Sequence, residues 1–204
     1  MKSAIIGILV GILAALFAIQ ILGRQAPAIR TGWVPVTQLE MDTTQRARFE
    51  RAEEARGAMF GSLLAELTSA IQEDGPAHAI GVCAERAPII ALETGVSHGV
   101  RIGRTSAQLR NPKNEIPDLL KEGIELGISG NEQTVFEDGD GDGGIAVLTP
   151  IVLMDQCVQC HGGEDQLGEG VAEALRERYP EDRATGYQPG DLRGWFWVVV
   201  EGDG

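Results

Sequence analysis

The hydrophobic pattern of this chain changes period along its length. From Ala4 to Leu22 there is no charged residue, and Ser3 and Gln20 are the nearby polar ones. At roughly 1.5 Å of rise per residue, a helix of that length matches the hydrocarbon thickness of a bilayer. A cleaved signal peptide has a shorter apolar region, about 7–15 residues, followed by a small-residue cleavage site. The nearest such match, Ala26-Pro27-Ala28, lies beyond Arg24 and has proline at its centre. Residues 1–24 are therefore expected to form a transmembrane anchor, with a cleaved signal segment as the alternative. Residues 25–42, which contain Pro27, Gly32 and Pro35, read as a tether.

Helical spacing then takes over. Ala52, Ala55, Met59, Phe60, Leu63, Leu64, Leu67 and Ile71 recur on one face, while Arg46, Glu50, Arg51, Glu53 and Glu54 face water. Thr43 or Thr44 is the expected cap. Asp74-Gly75-Pro76 stops this helix and starts another, because proline suits the first helical position. The second helix carries Ile80, Cys83 and Ala87 along one face and then meets Pro88. Gly99 to Asn114 reads as irregular and basic, with arginine at 101, 104 and 110. Pro117 opens a short helix to about Leu126. From there the period shortens to that of strands. Gln133–Glu137 and Ile145–Val152 flank a glycine- and aspartate-rich hairpin turn from Asp138 to Gly144. A helix from Val171 to Tyr179, a loop with Gly186, Pro189, Gly190 and Gly194, and a strand from Trp195 to Val200 complete the pattern. Helices first and strands later predict an α+β domain over residues 43–204 rather than a doubly wound sheet.

Composition narrows the function classes. A formal net charge of −13 opposes nucleic-acid binding and disfavours lying flat on anionic lipid headgroups. With 43% hydrophobic residues, the 204-residue chain can bury one core beside an appended segment. The acidic loop from Asp138 to Thr149 imitates a calcium loop, but Thr149 stands where a bidentate glutamate is expected, so a plain hairpin is favoured.

The three cysteines do not suit a disulfide framework. Cys157-Val158-Gln159-Cys160-His161 has the spacing that attaches a c-type haem. Both sulfurs sit on one side of a helical turn to add across the two vinyl groups, and the histidine reaches the iron. A thioredoxin-like pair makes no demand for the histidine, a zinc site lacks its second ligand pair, and a Cys157–Cys160 disulfide is the bland alternative. One covalently bound haem c is therefore expected, with the soluble domain outside a bacterial inner membrane, where such attachment occurs. The residues available as second axial ligand are Cys83, His78, His98, Met41, Met59 and Met154. For Cys83, a small buried core residue is an even alternative. Among the arginines, Arg104 is the candidate for a haem propionate, against a solvated basic loop.

Several ordered segments carry a family resemblance: Ile80–Cys83 with Ala87-Pro88, His98-Gly99, Gly103-Arg104-Thr105-Ser106, and Arg110-Asn111-Pro112 with Asn114. Thr149-Pro150-Ile151, Cys157 to Gly162, Tyr179-Pro180, Asp182 to Tyr187 and Gly190 to Gly194 complete the set. Over Gln45 to Val200 the chain resembles a bacterial c-type haem family with a PAS-like fold, long classed as a domain of unknown function. It departs at Asn114 to Pro117, one residue longer than the usual turn. The resemblance implies a PAS-like antiparallel sheet and iron held by His161 and Cys83. Some members of that family carry signalling modules; none is expected after Gly204. The expectation is a periplasmic, membrane-anchored haem protein, sensing redox state or a gas such as carbon monoxide or nitric oxide. A low-potential electron carrier is the alternative. An enzyme is not expected, since no acid–base constellation accompanies the cysteine pair.

Overall fold

The computed structural model describes residues 32–118, 121, 131–139, 141 and 143–203. The expected anchor over residues 1–24 lies outside the described residues, as does most of the short helix expected after Pro117. Among the described residues no helix is long and apolar enough to cross a membrane.

The chain enters the fold through β1 (Trp33–Pro35), in the stretch read above as a tether. This short strand pairs with β3 (Thr134–Asp138), and Val36 N–H extends the ladder to the Val135 carbonyl at 2.9 Å. Pro35 is tolerated because β1 is an edge strand.

The helix α1 (Thr43–His98) follows. Its cap is Asp42, one residue before the expected threonines. The Asp42 carboxylate accepts from Gln45 N–H at 2.8 Å, and Gln45 Oε1 accepts from Asp42 N–H at 3.0 Å. This reciprocal pair satisfies two end donors that a threonine at 43 or 44 would leave inside the first turn. Helical geometry fails only at Asp74 and Gly75, where Gly75 has φ 80° and ψ 179°, a conformation nearly closed to other residues. The chain folds back there. Arg86 on the second arm meets Glu66 on the first at 3.0 Å, although they are twenty residues apart in sequence. A continuous helix would separate them by about 30 Å. The expected break at Asp74-Gly75-Pro76 is thus a hairpin between arms 43–73 and 76–98. Pro88 does not end the second arm, because Ile90 and Thr94 continue its buried face.

Behind the hairpin lies an antiparallel sheet in the order β1-β3-β4-β5-β2. Its remaining strands are β2 (Arg101–Thr105), β4 (Ile145–Val152) and β5 (Leu192–Val200). β2 occupies part of the stretch expected to be irregular, where it pairs with β5 along its whole length. Alternation decides the two sheet faces. Ile102, Val135, Ile145, Val147, Phe196, Val198 and Val200 pack beneath Ala52, Ala55, Met59, Leu63, Ala87 and Ile90 of the hairpin. Phe136, Ala146, Leu148 and Val199 point the other way, against Trp33, Ile116, Trp195 and Trp197. Both faces of β4 are covered, which explains its unbroken apolar run. A third cluster joins the second arm to α3 (Val171–Arg178) through Ile80, Val171, Leu175 and Tyr179.

Candidate cofactor site

The cysteine motif hangs from the end of β4. Leu153 N–H donates to the Asp191 carbonyl at 3.0 Å, and Gly190 N–H returns a bond to the Leu153 carbonyl at 2.8 Å. A 3-10 turn over Asp155–Cys157 then leads directly into the four-residue helix α2 (Val158–His161). Gly162 closes it, with its N–H on the Val158 carbonyl at 2.7 Å. A Cβ at Gly162 would stand 2.7 Å from that carbonyl oxygen and 2.9 Å from Gln166 Cβ, so only glycine lets the chain leave so tightly.

So short a helix needs outside support. The loop around Asp182 to Tyr187 supplies it: Tyr187 N–H bonds the His161 carbonyl at 3.0 Å and Gly186 N–H the Gly162 carbonyl at 2.8 Å. Arg110, only 8% exposed, holds the other side. Its Nη2 donates to the carbonyls of Cys160 at 2.6 Å and Ala184 at 3.2 Å, while Nε donates to Asp182 at 3.2 Å.

The ring of His161 is fixed through Nδ1, which lies 2.8 Å from the Ala184 carbonyl and 3.2 Å from Arg193 Nε. The two contacts require opposite tautomers, since the carbonyl needs a proton on Nδ1 and the arginine needs a lone pair there. The shorter one, to Ala184, is the better hydrogen bond and leaves Nε2 with a free lone pair. Burial first, then the charges of Arg110 and Arg193, hold the imidazole well below its ordinary pKa, in the neutral form that ligates metals.

Facing the motif is a largely apolar cavity of about 340 Å³, between the hairpin and the sheet. Cys83 on the second arm, Cys157, Cys160, His161 and Arg104 all border it, so the structure brings every expected site residue to one place. Met59, Phe60, Leu63, Ile80 and Phe196 are among the apolar walls. All three cysteines are free and half-buried, so Cys157 and Cys160 form no disulfide. Burial pushes the Cys83 thiol upward, with Arg104 and then Arg110 opposing, and pushes Cys160 up to about 11. Arg104 shares the helix-facing side of β2 with Ile102 and makes no hydrogen bond or ion pair with any described residue. Of the other ligand candidates, Met59 and Met154 also border the cavity; Met41 is in the core, His78 is exposed, and His98 bonds the Thr94 carbonyl at 3.0 Å.

Residue roles that sequence reasoning missed are those of Arg110, Ala184, Arg193 and Tyr179. Arg193 ties the start of β5 to Ser106 at 2.8 Å, and Tyr179 borders the cavity with its phenol pushed up to about 12, chiefly by burial. Their motifs were visible, but the carbonyls and the cavity they serve come from distant segments.

A helical hairpin over an antiparallel sheet, with a Cys-x-x-Cys-His turn and a third cysteine meeting in the space between, defines the class of protein. The chain belongs to the Tll0287-like family, whose model matches residues 29–200. Among solved structures it is similar to the cyanobacterial heme-protein Tll0287, at 20% sequence identity and a TM-score of 0.53. The likeness covers 79% of this chain and 97% of that one and concerns the fold. No curated protein gives a significant match.

Proposed function

We propose that this chain binds one haem c in the cavity, covalently through Cys157 and Cys160, with His161 and Cys83 as the axial ligands. The convergence of three free thiols and one neutral imidazole on a single apolar cavity carries this reading. The donor set fits. The two motif thiols are one helical turn apart, His161 presents Nε2 because Nδ1 is engaged, and a thiol stands on the opposing arm. Arg104, without a protein partner, suits a carboxylate on the cofactor. Membership of a family with a heme-protein among its solved folds supports the same reading.

When bound, haem supplies a one-electron couple and, if an axial ligand leaves, an open coordination position. The two ligand side chains are held very differently. His161 sits in a turn clamped by Arg110, Ala184, Gly186 and Tyr187. Cys83 makes no hydrogen bond with any described residue and rides on the arm beyond the Gly75 hinge. That asymmetry favours a PAS-like redox or gas sensor in which Cys83 is the ligand that leaves. The electron-carrier reading draws on the cavity's rim, where Phe60 and Leu64 are each 39% exposed and Met154 is 42% exposed, so a partner can approach. Residues 1–24 anchor the domain at the membrane with the haem on the periplasmic side, facing an unidentified redox or signalling partner.

The attachment is tested by acidic organic extraction of protein matured with the bacterial c-type haem machinery. The wild type retains its colour in the protein fraction, and replacement of Cys157 and Cys160 by alanine makes the haem extractable. Haem that stays bound in the double variant overturns the covalent assignment.

A further inference from the structure

Arg110 does something that burial alone does not require. Its Nε and both Nη2 protons are taken by three groups: the Asp182 carboxylate at 3.2 Å, the Cys160 carbonyl at 2.6 Å and the Ala184 carbonyl at 3.2 Å. Asp182 is itself committed, because its Oδ1 accepts from Ala184 N–H at 2.8 Å. Arg110, Asp182 and Ala184 therefore form a closed ring of contacts around one peptide unit. The carbonyl of that same residue, Ala184, is the acceptor for His161 Nδ1–H at 2.8 Å. One oxygen thus receives a charged donor and the axial ligand's donor together.

We infer that Arg110 is a positioning residue that sets the donor strength of His161 through their shared acceptor, the Ala184 carbonyl. This rests on the haem reading above. The partner of a ligating histidine's second nitrogen orients the ring and governs its basicity. A carbonyl that accepts only from His161 draws the Nδ1 proton strongly and gives the ring more imidazolate character. A guanidinium on the same oxygen draws on its lone pairs and weakens that pull. The ligand is then a more nearly neutral imidazole, which stabilises ferric iron less and raises the potential at which one electron from a reductant makes it ferrous. Through the Cys160 carbonyl the same side chain keeps the attachment turn in register with this acceptor. Arg193 and Arg104 also bear charge near His161, so the test has to separate hydrogen bonding from charge.

Arg110→Lys and Arg110→Gln are compared with the wild type by spectroelectrochemical titration of the full haem-loaded chain. Lysine keeps the charge but cannot reproduce the planar fork on two carbonyls and a carboxylate. The expected result is a lower potential in both variants, with a downfield shift of the His161 Nδ1 proton in the ferrous state. A lysine variant with wild-type potential and proton shift overturns the inference, because charge alone would then suffice. If neither variant retains haem, the wild type decides, through hydrogen-bond scalar coupling from Arg110 Nη2 to the Ala184 carbonyl carbon. Detectable coupling supports the shared acceptor and its absence overturns it. A wild-type protein without covalent haem overturns the proposed function and this inference with it, an outcome distinct from an unshifted potential.

Discussion

Cys83 and His161 border the same cavity under opposite constraints. His161 lies among hydrogen bonds from three segments, whereas the Cys83 sulfur has only apolar neighbours and the nearby charges of Arg104 and Arg110. Cys83→Ala is expected to change the ferric absorption spectrum of the loaded protein, with loss of the features of thiolate ligation. An unchanged spectrum would remove Cys83 from the iron. The chemistry of this residue was only half visible in the chain. An unpaired thiol on the apolar face of a helix is equally consistent with a core position, and only the opposing motif across the cavity distinguishes the two. For Arg104 the ambiguity had another source. Arg101, three residues away, pairs with Glu201 at 3.1 Å on the surface, while Arg104 borders the cavity. The arginine run looked uniform because strand alternation within it had not been recognised.

At the scale of elements, the hairpin of α1 carries the site. Its turn depends on Gly75, whose backbone conformation a side chain strongly disfavours. Gly75→Ala is expected to cost about 1–3 kcal/mol. Urea unfolding checks this, as a lower midpoint with an unchanged slope. The turn was legible because Asp-Gly-Pro interrupts helical periodicity by local rules. The continuation past Pro88 was not. A proline normally ends a helix by losing one hydrogen bond, but burial of Ile90 and Thr94 outweighs that loss. β2 escaped notice for a related reason. It is short, holds Gly103 beneath the ring of Trp197, and finds its partner strand only after some ninety residues, in the Arg101↔Val199 register.

For the whole molecule, the arrangement puts one ligand on the helical layer and the other on a turn hung from the sheet. Displacement of the Cys83 sulfur from the iron then separates two layers rather than two neighbours within one loop. The expected outcome is prompt carbon monoxide binding to the dithionite-reduced protein, read as a shift of the Soret band. A reduced protein that refuses carbon monoxide and cycles reversibly favours the electron-carrier reading instead.

Local chemistry settled a definite share of this protein in advance. The Cys-x-x-Cys-His turn, the helix break at Gly75, the hairpin between β3 and β4 and the α+β order all follow from residues within a few positions of one another. Their physical basis is short-range: φ and ψ preferences, side-chain period and the geometry of one helical turn. The meeting of Cys83 with His161, the choice of Arg104 over Arg101, the role of Arg110 and the place of β2 depend on segments brought together from across the chain. They exist only once burial of the apolar faces has folded the hairpin onto the sheet, and no local preference encodes that approach.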